Sequence, residues 1–425
     1  MRARELGLLL PLLAIYVAAA LAFPSHPDDE ASYLTLANRL QHETYVTGNN
    51  AALLDADPTS PDLWFGPGLP AVIVPLVALD APITLVRVVG PLFLFGAMLL
   101  FYVLVRDRAG PRAALVAAYA LGLYPPFWAL LPNLHSEPAA VFCTVAAMLA
   151  MSRYLEGGRL RWLALGAAAL AGLALTRVAY GWVLTLLLLV LLACLLLRRS
   201  RAIARSGAVV GLALVLCIPW LAYTESVTGH PFVWGNSGSL SLYWMASPYP
   251  GDHGDWRQAD DVFTDPGLAP HRTFFASLRG LPLAEQNVRI QHRAIENIAH
   301  HPARYGANLL ANASRMFFNA PYSDSRWKPN DLFYALPNAL VLLAIAFSAV
   351  RLVPRRRALP AVALPIGLLG AIALLLHLAV ATYPRMLMPI VPIIAWFTVL
   401  ALVESRDDER VTAARAGTPT PSPSA

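Results

Sequence analysis

The chain has 425 residues, 57% of them hydrophobic and 14% charged, with a formal net charge of +6 and a mean hydropathy of +0.54. A soluble globular domain carries roughly a quarter charged residues, so this composition argues against one. The apolar residues come in long runs rather than periodic stripes, the pattern of a polytopic membrane protein. Cys143, Cys194 and Cys217, the three cysteines, all lie inside apolar runs. That placement argues against disulfide and zinc-thiolate chemistry.

The first element runs from Met1 to Phe23, with Arg2 and Arg4 ahead of an apolar stretch. No clear small-x-small cleavage site closes it, so the expectation is an uncleaved first span. Directly after it stands His26-Pro-Asp-Asp-Glu-Ala-Ser-Tyr33. Carboxylates in a row are costly to hold beside hydrocarbon. A bilayer core needs about 20 apolar residues per helix. On that measure about ten spans are expected, near 6–23, 83–105, 112–131, 138–153, 161–176, 178–197, 207–224, 333–350, 359–380 and 386–403.

Arginine orients these spans. Lys328 is the only lysine. Nineteen arginines fall on the ends and short loops of one side, against Arg39, Arg87, Arg177 and Arg385 on the other. The positive-inside rule then sets both termini in the cytoplasm and turns the acidic cluster outward. The first outer loop, 24–82, holds a Gly-Pro-rich turn at Phe65–Pro70 and a juxtamembrane helix over Ala71–Leu79. The long outer loop, 225–332, forms a small helical cap. One amphipathic helix over Ala284–His300 uses Val288, Ile295 and Ile298; Pro302 breaks it. A second uses Tyr305, Leu309, Ala313, Met316 and Phe317. Residues 404–425 read as a disordered cytoplasmic tail.

Ionisable residues at membrane depth are functional candidates by default. Asp28, Asp29, Glu30, Arg87, His135, Glu137, Arg177, His377 and Arg385 all fall at outer helix ends. Arginine forks recognise phosphate, and a nearby carboxylate can act as base on a hydroxyl. Outside the cytoplasmic membrane the accessible activated donor is a sugar on a polyprenyl phosphate. Its phosphate leaves as an anion that cations stabilise.

Several motifs resemble, in order, those of the GT-C superfamily of integral-membrane glycosyltransferases, among them the bacterial relatives of protein O-mannosyltransferases and lipid A aminoarabinose transferases. They are Asp29-Glu30-Ala-Ser-Tyr33, Gly66-Pro-Gly-Leu-Pro70, Arg87, Ser136-Glu137-Pro138, Leu175-Thr-Arg177, Pro219-Trp220, Thr228-Gly-His-Pro231, Leu242-Tyr243, and Arg385 with Pro389 and Pro392. The resemblance covers about 1–403. Phe65-Gly66 stands where the aminoarabinose transferases carry a Lys, and Met386 where the family has a Tyr.

The resemblance implies an all-α GT-C fold and an inverting transfer of sugar from a polyprenyl-phosphate donor to a hydroxyl of an envelope acceptor. That acceptor is a glycolipid, a polysaccharide or a protein. Asp29 would be the catalytic base and Glu137 a second catalytic carboxylate. Glu30, Tyr33, Arg87, Arg177 and Arg385 would bind substrate. No cofactor, metal or nucleic acid is expected; the lipid bilayer is a partner. Asp28 reads as a solvated neighbour, and His135 and His377 as polar packing. Asp252-His-Gly-Asp255 and His300-His301 read as solvated loop residues rather than a metal site. Asn312-Ala-Ser314 is a formal glycosylation sequon, discounted in a bacterial chain. A transporter or flippase for a lipid-linked or anionic solute is the alternative, and it would place its charges at the membrane midplane.

Overall fold

A long apolar run closes its own backbone hydrogen bonds as a helix and needs no partner strand in lipid. In the computed structural model, which describes residues 3–23, 29–42, 45, 63–325, 331–356 and 358–416, the elements follow that logic. Among the described residues all regular structure is helical. The order is α1 (Ala3–Ala22), α2 (Glu30–Arg39), α3 (Gly68–Ala78), α4 (Ile83–Arg87), α5 (Val89–Gly122), α6 (Pro125–Ala129), α7 (Glu137–Gly157), α8 (Leu160–Thr176), α9 (Ala179–Arg198), α10 (Arg201–Leu216) and α11 (Ile218–Thr228). Then come α12 (Ser237–Met245), α13 (Asp261–Thr264), α14 (Arg272–Ala276), α15 (Leu283–His300), α16 (Pro302–Phe318), α17 (Leu332–Leu352), α18 (Ala363–Leu378) and α19 (Val391–Ala416).

Among the described residues five stretches are long and apolar enough to cross a membrane alone: Arg4–Ala22, Ile83–Gly122, Glu137–Gly157, Ala179–Leu197 and Leu332–Leu352. The α10–α11 pair, bent by 45°, makes a sixth if taken as one span. A count of ten requires adding the shorter apolar helices Leu160–Thr176, Ala363–Leu378 and Val391–Val403. It also requires splitting Ile83–Gly122 at Gly110, whose φ of 80° breaks the helix. The expected span over 112–131 differs most. It stops at Gly122, because Pro125 and Pro126 lack the N–H groups that would continue the ladder. The last helix runs on to Ala416, into the segment expected to be a disordered tail; 417–425 lie outside the described residues.

The central helix is α7, packed on α5 and α8 with α10 and α19 beside it. Small residues allow the close approach of α7 and α8: a Cβ on Gly166 would lie 3.5 Å from that of Ala150, and one on Gly172 3.2 Å from Cys143 Sγ. Such packing holds the ends of α7 and α8 level, and those ends carry Glu137 and Arg177.

The cap is α12 to α16, with its own core of Tyr243, Trp244, Phe275, Leu278 and Ile290. Its two long helices form as expected, and their faces agree in part: Ile298 and Tyr305 pack against the cap core and Met316 and Phe317 are buried. On α15, Val288 and Ile295 are exposed while Ile290 and Ala294 are buried. On α16 the buried side chains are Asn308, Asn312, Arg315, Met316 and Phe317. Half of that helix therefore docks a polar face, because it packs on irregular backbone whose carbonyls need donors. Asn312 is fully buried, so the sequon is closed to modification in the folded chain.

Candidate active site

The acidic loop, two mid-chain helix ends and a late 3₁₀ turn meet at one end of the helix bundle. Asp29 stands at the N-cap position of α2, where its carbonyl accepts the Tyr33 N–H at 3.1 Å. Its side chain makes no capping hydrogen bond. The carboxylate instead accepts from Arg385 Nη1 at 2.7 Å. Arg385 lies in the one-turn 3₁₀ helix Pro384–Leu387 that leads into α19. Asp28 lies outside the described residues.

Glu137 opens α7, with Pro138 behind it. The free N–H groups of a first helical turn favour a negative charge there. Glu137 is 1% exposed and accepts from Arg177 Nη1 at 2.5 Å. The same oxygen lies 3.7 Å from Arg385 Nε. One buried carboxylate thus holds two guanidiniums from opposite parts of the sequence. Arg177 reaches it because the chain leaves α8 in an extended conformation (φ −132°, ψ 98°), which swings the side chain back across the neighbouring helix end. Arg177 also contacts Ser136 Oγ at 3.3 Å and the Met386 sulfur.

A second nest lies beside the first. Arg87 donates a fork to Glu30, Nε to Oε2 at 2.8 Å and Nη2 to Oε1 at 2.7 Å. The Leu134 N–H adds a third bond to Glu30 at 2.9 Å, tying down the loop before α7. Burial pushes the Glu30 carboxyl up, but the Arg87 fork and the Leu134 amide outweigh it and hold it below its ordinary value. Glu30 and Asp29, adjacent in sequence, therefore serve different arginines.

The glycine-rich turn explains how the first loop reaches α8. A Cβ on Gly66 would stand 2.0 Å from the Leu175 carbonyl oxygen, and one on Gly68 2.5 Å from Thr176 Oγ1. Only bare backbone fits against the last turn of α8, directly before Arg177. Tyr33 is buried on α2, edge-on to Phe65 with ring centroids 4.9 Å apart, and it locks that turn to the acidic helix.

The remaining expected residues divide. Asp29, Glu137, Arg177 and Arg385 come together as one group; Glu30 and Arg87 form the adjoining pair. His135 is buried, with Nδ1 4.0 Å from Glu137 Oε2. His377 is buried against Tyr180 and bonds the Ala373 carbonyl at 2.7 Å. The cap acids are not solvated, contrary to expectation. Asp252 accepts from His271 at 2.9 Å and from Ser247, and Asp255 is buried against Ser323 and Arg257. Ser247 and Arg257 are sequence neighbours of these acids, but His271 and Ser323 come from other segments, which no local reading exposes. Among the described residues no group of three or more His, Cys, Asp or Glu is arranged to hold a metal ion. Three participants escaped sequence reasoning: the Leu134 N–H, Met386 as a neighbour of Arg177, and Asn312. The first two have no side-chain signature, and the third was masked by the sequon.

Comparison with known proteins matches this architecture. The family model for dolichyl-phosphate-mannose-protein mannosyltransferases matches residues 67–223, a stretch that includes Arg87, Glu137 and Arg177. No curated protein matches the chain. The apo structure of the Archaeoglobus fulgidus oligosaccharyltransferase covers 98% of this chain at 16% identity, with a TM-score of 0.54. The Archaeoglobus fulgidus oligosaccharyltransferase AglB in complex with an inhibitory peptide and a dolichol-phosphate covers 99% at 15% identity, with a TM-score of 0.52. This chain spans about half the length of each, 52%. ArnT from Cupriavidus metallidurans bound to undecaprenyl phosphate shares 14% identity over 98% of this chain and 81% of its own length, with a TM-score of 0.42. The chain shares its fold with these archaeal structures, and the match to the mannosyltransferase family model covers part of the candidate site, leaving Asp29, Glu30 and Arg385 outside it.

Proposed function

We propose that this GT-C-fold membrane protein transfers a sugar from a polyprenyl-phosphate donor to an acceptor hydroxyl on the outer face of the cytoplasmic membrane, with inversion. The observation that carries the reading is the Asp29–Arg385 contact at 2.7 Å, with Arg385 also 3.7 Å from the Glu137 that holds Arg177. One base and two phosphate-binding cations stand together at a helix-bundle end. The complex of the archaeal relative with a dolichol-phosphate supports a lipid-phosphate ligand for this fold.

The step balances as follows. The acceptor oxygen attacks the anomeric carbon from the face opposite the phosphate. Its proton passes to Asp29, the new carbon–oxygen bond forms, and the carbon–oxygen bond to phosphate breaks. The electron pair leaves with the polyprenyl phosphate. The donor diester carries one negative charge and the departing monoester two. As Asp29 takes the proton it loses its charge and its hold on Arg385, just when the phosphate needs that cation most. Stabilisation therefore grows toward the transition state rather than in the bound donor. Glu137 keeps Arg177 and Arg385 aimed, and the Glu30–Arg87 pair fixes α2 against α4.

Transfer from a radiolabelled polyprenyl-phosphate sugar by the detergent-purified protein tests this. Asp29→Asn is expected to lower turnover by about 100- to 10,000-fold, the usual share of a general base. Undiminished transfer by that variant would sink the assignment. A transporter needs a sealed compartment, so transfer in detergent also separates the enzyme from that class.

A further inference from the structure

Residues 379–383, between α18 and the 3₁₀ turn of Arg385, belong to no helix. Their backbone groups need partners from elsewhere; the Ala381 N–H donates to the Ser241 carbonyl at 3.3 Å, and one face of α16 supplies most of the rest. Tyr305, Asn308, Asn312 and Arg315 are spaced three and four residues apart, so they line a single helical face. Tyr305 Oη donates to the Ala379 carbonyl at 2.9 Å. Asn312 Nδ2 donates to the Leu378 and Val380 carbonyls at 2.9 and 2.7 Å, while Oδ1 accepts the Thr382 N–H at 3.1 Å. Arg315 Nε donates to the Thr382 carbonyl at 3.1 Å, and Nη2 to Asn312 Oδ1 at 2.7 Å. Its Nη1 donates to the carbonyls of His253 and Pro321 at 3.2 and 2.9 Å. Asn312 and Arg315 are both 0% exposed.

We propose that Asn312 and Arg315 are positioning residues. They clamp the strap 378–382 to the cap and thereby set the direction from which Arg385 reaches Asp29 and the donor phosphate. The chemistry of the pair suits the task. An asparagine amide is donor and acceptor at once, so it grips a carbonyl and an N–H of the same irregular segment. A guanidinium spreads its donors in a rigid fork, so it ties the strap, the 253 loop and the 321 turn together. A plain core contact would use apolar side chains and leave the strap carbonyls unsatisfied. The inference rests on the proposed role of Arg385.

A double-mutant cycle with a separate structural readout tests it. Asn312→Ala is expected to cut kcat/KM for the polyprenyl-phosphate sugar at least tenfold, and to cost less than twofold further on an Arg385→Ala background. Asn308→Ala serves as control. It sits on the same face but donates to the Met245 and Ser247 carbonyls, not the strap. Its loss is expected to multiply in full with that of Arg385→Ala. Independently, hydrogen exchange of amides 379–387 is expected to rise at least tenfold in Asn312→Ala and not in Asn308→Ala. Full multiplication of the Asn312 and Arg385 losses, or unchanged strap exchange, overturns the clamp. If the wild-type protein transfers no sugar, the functional reading falls while the exchange comparison still decides the clamp. Should Asn312→Ala not accumulate, Arg315→Lys, which keeps the charge and loses the fork, is measured against the same outcomes.

Discussion

The two ends of the helix bundle both carry arginine–carboxylate clusters, and they are built differently. At the end opposite the site, Arg106 pairs with Glu5 at 3.1 Å, Arg108 with Glu156 at 2.7 Å, and Arg153 with Asp107. Those side chains reach 55% exposure at Glu156. At the site end, Glu137 is 1% exposed and shared by two arginines, while Glu30 accepts three directed hydrogen bonds. The same residue types staple helices to one another at one end and pre-organise a charge pattern at the other. Asp107 at the far end is likewise shared, by Arg106 and Arg153, but at 31% exposure; the burial of Glu137 makes the difference, since exposed pairs are individually worth about 0–1 kcal/mol and a broken buried pair costs about 3–5 kcal/mol.

Four substitutions or conditions sharpen that contrast, beyond Asp29→Asn. Glu137→Gln leaves Arg177 and Arg385 without their shared anion. It is expected to abolish measurable transfer and lower the thermal midpoint of the detergent-purified protein by several degrees; a variant with wild-type turnover would remove Glu137 from the site. Gly66→Ala forces a methyl group to 2.0 Å from the Leu175 oxygen, so the first loop must back away from α8. Transfer should fall at least tenfold in a protein that still inserts, as checked by its size-exclusion profile.

Acidification is the third probe. The Glu30 carboxyl is held below its ordinary value, and so is Asp252, where His271 and Ser247 outweigh burial. A depressed carboxylate contributes stability that is present above its unfolded value, about 4, and is lost as pH falls through the lower folded value. Thermal midpoints should therefore hold from neutral pH to about 5 and decline below about 4, with Glu30→Gln flattening part of the decline. A profile that is flat over that whole range counts against both pairings. The smallest effect is expected at the far end. Glu156→Gln should change stability by about 0–1 kcal/mol and leave transfer within twofold. A tenfold loss there would erase the distinction between the two ends.

Much of the site was legible in order along the chain. Asp29, Glu137, Arg177 and Arg385 stand out because charged residues are scarce and each flanks an apolar run. Pairing was not legible. Adjacent Asp29 and Glu30 look interchangeable as letters, and only the fold sends one to Arg385 and the other to Arg87. The faces of the cap helices were legible only in part: Ile298, Tyr305, Met316 and Phe317 do pack inward. Val288 and Ile295 satisfy an apolar period on α15 yet are exposed. The buried face of α16 carries Asn308, Asn312 and Arg315 because it meets backbone, not side chains.

The sequence by itself determined that the chain is a membrane protein of apolar helices. It also determined which side carries its spare arginines, and that carboxylates and arginines gather at one depth. Hydrophobicity and the positive-inside bias are sums over local residues, so composition and order suffice for them. Only the tertiary structure decided which carboxylate faces which arginine, where Gly66 and Gly68 must admit backbone, and that Asn312 grips the strap before Arg385. Those are matters of ångströms between residues as far apart as Asp29 and Arg385. Helix packing sets such distances, and no local pattern encodes them.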